Sequence, residues 1–292
     1  MEPTANEQPK KYMNPDEQEH LLRFEYDRKS VYEEDSGTAR MLDVLIPESE
    51  LIDPDQRLFQ VQHLQTEMAW YSIHFEIRRV ITALREDDFA TATHLLDRII
   101  LLSDAPYQSQ RLMVNSLTQF SLLRMRAQLP QGATGFDSPG MRNLKLVAKA
   151  LWTTLEQTLA RYEHTPVSLA MLRLETERIK PLPDRLALLA QVYDGIQQFD
   201  VKLMEWKQLH LRMVWGHLGG AFAHLEESRA LMEHAATKTG EGGPQYGIPT
   251  SLRGRPVTDL QRITVSPLFP ALWKVPDAVY HAMKTKQGQD LY

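Results

Sequence analysis

The chain has 292 residues, 42% of them hydrophobic, with a formal charge of −5 from 33 Lys and Arg against 38 Asp and Glu. That apolar content can fill a sizeable core in one large domain or two small ones, and basic residues scattered through an acidic chain leave nucleic acid no electrostatic footprint. The sequence contains no cysteine, which excludes disulfides, cysteine-held zinc, iron–sulfur clusters and thiolate-ligated haem.

Residues 1–14 are polar, hold Pro3 and Pro9, and show no periodic apolar face, so they read as a flexible N-terminal arm without a signal-type apolar core. Nowhere does the chain reach the ~20 uninterrupted apolar residues of a membrane span. The expectation is a soluble cytoplasmic protein with no membrane partner. Helical patterning starts near Asp16 and breaks at Asp35-Ser36-Gly37, and Thr38 to Leu45 is a short amphipathic piece.

From Gln56 to Arg85 there is no Gly or Pro, and Leu58, Val61, Met68, Ile73, Ile77, Val80, Ile81 and Leu84 recur at helical spacing, which predicts one long helix. Asp87 or Asp88 should cap a second helix, Phe89 to Leu102, closed by Ala105-Pro106. A third, Leu112 to Leu129, runs into the loop Pro130 to Gly140. Met141 to Tyr162, Val167 to Ile179 and Asp184 to about His217 are helical patterns separated by prolines, and Gly219-Gly220 precedes a further one, Ala221 to Thr237. A glycine-rich stretch then runs from Thr239 to Pro249. It lacks the Gly-Lys-Ser/Thr ending of a phosphate loop, and no strand precedes it. No segment alternates with period two, so the expected fold class is all-α: a single bundle-like domain over residues 15–292.

Nucleophile elbows of the Gly-x-Ser-x-Gly type are absent. His63 and Glu67 stand at i and i+4, a spacing that suits either a metal chelate or a plain hydrogen bond. Arg124 and Arg126 sit among leucines and methionines before the loop, where they could snorkel to solvent or clamp a carboxylate. His210 shares a helical face with Leu203, Trp206, Met213 and Val214. An imidazole on that face is either a hydrogen-bonded core histidine or an axial ligand to a flat apolar cofactor such as haem, and the stretch alone leaves both open.

Four blocks, taken in order, resemble the tryptophan 2,3-dioxygenase superfamily of histidine-ligated haem oxygenases. They are Leu58-Phe59-Gln60-Val61-Gln62-His63 with Glu67 and Glu76; Met125-Arg126-Ala127-Gln128-Leu129 leading to Thr134-Gly135-Phe136-Asp137-Ser138; Trp206-x-x-x-His210-x-Arg212; and Gly240-Glu241-Gly242-Gly243 through Gly247. Phe269-Pro270-Ala271-Leu272-Trp273 is similar to a segment near that family's end. The resemblance implies a bundle of the family's type, haem b held by His210 as axial ligand to iron, and dioxygen as co-substrate. It implies His63 as the distal catalytic residue, Phe59 and Phe136 as walls of an aromatic site, and Arg126 as partner of a substrate carboxylate. It also places Trp206, Gly135 and Gly242 against the cofactor and implies a homo-oligomer, dimer or tetramer.

Other positions depart from the family. Leu122 stands where it has a tyrosine, Glu241 where it has a threonine, and Ser36 and Ala39 where a neighbouring subunit lends two tyrosines. Glu241 could bind a substrate ammonium by a charge-assisted contact. The haem and oxygen residues match while the substrate contacts differ. Together they imply a specialised oxygenase of an aromatic amino acid, L-tryptophan or a derivative. Tyrosine ring hydroxylation is the alternative within the same chemistry, and a non-catalytic haem-binding protein the alternative outside it.

Overall fold

The computed structural model describes residues 11–26, 30–129, 138–179, 182–222 and 256–287. Among these the protein is mostly helical. A small antiparallel hairpin, β1 (Lys11–Tyr12) with β2 (Glu25–Tyr26), pairs Lys11 with Tyr26 and Tyr12 with Glu25. Part of the segment read as a mobile arm is therefore tied into a ladder, and strands of two residues are too short to register as alternation. Two short helices follow, α1 (Val31–Ser36) and α2 (Thr38–Leu42), split by Gly37 at φ 66°. Glycine adopts that left-handed turn without Cβ strain.

The body is built on α3 (Asp55–Arg85) and α9 (Asp184–Leu218). Around them lie α4 (Phe89–Leu102), α5 (Asp104–Ser116), α6 (Gln119–Gln128), α7 (Pro139–Arg161) and α8 (Pro166–Ile179). Helix α3 packs along α4, α5 and α7, and α9 along α4 and α5. One α3 stripe explains its place: Trp70, Ile73, Ile77, Val80, Ile81 and Leu84 are buried at i, i+3, i+4 spacing. They meet Leu95, Leu96 and Ile99 of α4, Leu144, Leu151 and Leu155 of α7, and Ile196 and Phe199 of α9 in one apolar cluster. Gly195 lets α9 approach α4 closely, since a Cβ there would sit 3.0 Å from Leu96 Cβ. Buried Glu76 joins α3 to α4 by accepting from Arg79 at 2.8 Å and Arg98 at 3.2 Å.

Several boundaries differ from expectation. Asp88 does cap α4, accepting from Thr91 N at 3.0 Å. Ala105-Pro106 does not close a helix; it lies in the first turn of α5, where proline costs no hydrogen bond. The stretch Leu112 to Leu129 is not one helix either. It breaks at Leu117–Thr118, where Leu117 turns extended and Thr118 caps α6 by accepting from Ser121 N at 3.0 Å. Ala221–Phe222, the expected start of another helix, forms a turn, and the rest of Ala221 to Thr237 lies outside the described residues.

Two helices beyond the glycine-rich stretch escaped the sequence pattern, α10 (Val257–Thr264) and α11 (Pro270–Gln287), the latter with Pro276 inside it. Asp200 of α9, fully buried, explains how the second of these docks. Its carboxylate accepts from Leu268 N at 2.7 Å, Phe269 N at 3.1 Å and Trp273 Nε1 at 2.8 Å. Two turns further along the same face of α9, Lys207 donates to Ser266 O at 2.6 Å. Burial holds its ammonium below the usual lysine range, against the opposing pull of Asp200.

Candidate functional site

His63 stands just over two turns into α3. Its Nδ1 lies 2.7 Å from Phe59 O, and a carbonyl can only accept, so Nδ1 carries the proton and Nε2 keeps its lone pair. The Phe59 ring packs at 4.1 Å between centroids, tilted by 41°. Burial lowers the basicity of His63, opposed by the Phe59 carbonyl and the Glu67 charge.

His210 stands two turns before the end of α9. Its basicity is pushed down to about 4, first by burial and then by the charge His63 would carry. The two imidazoles, from helices far apart in sequence, are thus close enough for a charge on His63 to oppose protonation of His210. As whole residues His63 is exposed and His210 half-buried, and protein crowds both enough to disfavour charge.

The walls near them are apolar. Met113, Leu117, Leu122, Met125 and Met213 form a second buried cluster, with Leu58, Phe59, Val114 and Leu218 packed on it. It joins the start of α3, the α5–α6 break and the end of α9. His217 fixes that end, with ring nitrogens 2.7 Å from Met213 O and 2.9 Å from Leu117 O. Gln110 donates to Met213 Sδ at 3.1 Å. Arg126 lies half-buried in the last turn of α6, one turn beyond Leu122 and on the same face. Arg124 instead pins α6 to the segment before α3, reaching Asp53 at 3.2 Å and Ile52 O at 2.8 Å.

Trp206 is half-buried and stacks on His210, with centroids 5.7 Å apart and planes within 10°. Trp70 of α3 meets it edge-on at 5.2 Å and 88°. Among the described residues, the indole Nε1 of Trp206 is buried without a hydrogen-bond partner, and the His210 ring makes no hydrogen bond. A neutral imidazole with a free lone pair, beside apolar side chains, has the chemistry an axial ligand of haem needs. Among the described residues no three His, Asp or Glu converge on a metal position; a porphyrin supplies four ligands itself and needs one from the protein. A recess of about 350 Å³ opens on a different face of α9, lined by Ile100, Asp194, Val201, Lys202 and Glu205, and brings together no comparable chemistry.

The structure therefore joins His63, Phe59, Trp206 and His210 in one region, with Arg126 on the neighbouring helix. Gly135, Phe136, Glu241 and Gly242 lie outside the described residues.

Glu67 is committed elsewhere than to a chelate with His63. It accepts from Ser138 Oγ and, at 2.8 Å, from Gly140 N, holding the start of α7 one turn along α3 from His63. Sequence reasoning missed this clasp, and it missed Trp70 and Gly140. The Ser138-Pro139-Gly140 run carried the signal, because serine before proline marks a helix start. Nothing in the sequence showed which carboxylate would meet it. No family model and no curated protein matches the sequence.

Proposed function

We propose that the protein is a haem-dependent oxygenase of the tryptophan 2,3-dioxygenase type, inserting oxygen from O2 into the ring of an aromatic amino acid, L-tryptophan or a tryptophan derivative. The observation that carries this reading is a His210 imidazole that has no hydrogen bond among the described residues and a basicity pushed down to about 4 by burial, with His63 on another helix near enough to lower it further and apolar side chains close by. Bound there, haem supplies the iron at which dioxygen is activated.

The chain's own groups account for the rest. His210 offers iron a neutral imidazole at any pH above its low pKa. His63, with its proton on Nδ1 held by Phe59 O, presents Nε2 as an acceptor for a ring N–H or O–H of substrate. Phe59 supplies an apolar wall, and Arg126 a guanidinium for the substrate carboxylate. Phe136, Glu241, Gly135 and Gly242 complete the assignment by resemblance, with Glu241 toward the ammonium.

A homo-oligomer, dimer or tetramer, belongs to the same proposal. An exposed apolar stripe on α3, with Leu64, Met68, Tyr71 and Phe75 at 4-3-4 spacing, supports association of this face with a second copy.

The purified chain loaded with haem should show a Soret band that is lost or shifted in His210→Ala. Ferrous protein given oxygen with tryptophan, methylated tryptophans or tyrosine should yield a product heavier by one or two oxygen atoms, and Arg126→Ala should raise KM more than it lowers kcat. A Soret band unchanged by His210→Ala sinks the proposal.

A further inference from the structure

His63 and His217 each place Nδ1 2.7 Å from the carbonyl one turn back, that of Phe59 and of Met213. This is the ordinary way a helical histidine fixes its ring. His210 departs from it: the residue one turn back is Trp206, and it meets the imidazole by its ring face instead of its carbonyl. The indole is itself held. Trp70, 2% exposed, closes on it edge-on, and Trp70 is in turn pressed by the start of α7, where a Cβ on Gly140 would come within 2.6 Å of Trp70 Cβ.

We infer that Trp206 is a positioning residue which sets the plane of the His210 imidazole by stacking, as the middle member of a column Trp70–Trp206–His210 that replaces the usual hydrogen bond to a ligand's second nitrogen. The role rests on the reading of His210 as the axial ligand. A flat stacked neighbour limits rotation about the Cβ–ring bond much as a hydrogen bond does, yet draws no proton from the ring. A metal-bound histidine normally gains donor strength by giving its second N–H to an acceptor. With none among the described residues, the His210 imidazole stays a weaker donor, which favours the ferrous iron that dioxygen requires.

Two measurements separate this role from the haem reading. In the haem-free chain, the His210 ring-proton NMR signal, identified by its loss in His210→Gln, should be shifted by the indole ring current. Trp206→Leu should return it to the usual histidine position, whereas Trp206→Phe should keep part of the shift. In the ferrous haem-loaded chain, the iron–histidine stretch in resonance Raman spectra should be one narrow band in the wild type and in Trp206→Phe, and broadened or split in Trp206→Leu.

A wild-type band unchanged in Trp206→Leu overturns the positioning role and leaves the haem reading intact. A Trp206→Phe band as disturbed as that of Trp206→Leu also overturns it, because a flat ring would then not be what orients the ligand. A chain that takes up no haem, while the NMR shifts behave as expected, overturns the haem reading instead, and the ligand role with it.

Discussion

At the scale of single residues, the distinguishing feature is a histidine kept neutral by its surroundings. With a pKa near 4 in the folded chain against 6.5 when free, His210 binds a proton in the unfolded state, but not in the native one, between those values. Stability of the haem-free protein therefore rises with pH across that window. The contribution is complete above about pH 6.5 and is lost as pH falls toward 4. The full shift corresponds to about 3 kcal/mol, and the partial exposure of the residue reduces it. Thermal melts at several pH values should show this acid loss, and His210→Gln, which cannot titrate, should flatten it. An equally steep loss in the variant would mean that other groups carry the effect.

At the scale of elements, the α3–α7 contact is where substitutions should tell most. Gly140 faces Trp70 and Glu67, and a Cβ there would stand 2.6 Å from Trp70 Cβ and 2.7 Å from Glu67 Oε2. Gly140→Ala must push α7 away from α3 or break the Glu67 clasp. Overpacking of this kind costs about 1–3 kcal/mol, so its melting temperature should fall by several degrees. Ser138→Ala, which removes the cap on Met141 N and one donor to Glu67, should cost about 0.5–2 kcal/mol. A Gly140→Ala chain as stable as the wild type would contradict the geometry.

Much of this scale was legible beforehand. The limits of α3, α4, α7, α8 and α9 followed closely from long apolar periods and from local signals, among them the Asp88 cap of α4 and Gly219 after α9. The α5–α6 break was not legible, because Leu117–Thr118 contains neither breaker and is fixed by Thr118 capping and by the His217 contact to Leu117 O. The helices α10 and α11 were hidden by prolines that suit helix starts as well as loops. His210 was readable as a core histidine or a ligand, and His63 as a chelate or a plain hydrogen bond with Glu67. That His63 comes near enough to His210 to act on its charge is a property of packing, and the stacking of Trp206 on His210, although i and i+4 permits it, is bounded by Trp70 from another helix.

At the scale of the molecule, α9 carries both the candidate ligand and the clasp for the end of the described chain. Asp200 is fully buried and satisfied by three donors. Asp200→Ala would leave all three without an acceptor, at about 1–3 kcal/mol each. It should unfold at far lower denaturant concentration than Asp200→Asn, which keeps one acceptor oxygen. Equal midpoints for the two would show that the docking of α11 does not depend on this carboxylate.

The same carboxylate sets an order of events during synthesis. Its donors lie 68 to 73 residues downstream, so at a ribosomal rate of roughly 5–20 residues per second the completed α9 waits several seconds for them. Until Leu268, Phe269 and Trp273 have emerged, the nascent helix holds a charge that the surrounding core cannot shelter. Anything that settles beside His210 therefore meets a finished α9 only after residues 268–273 have emerged.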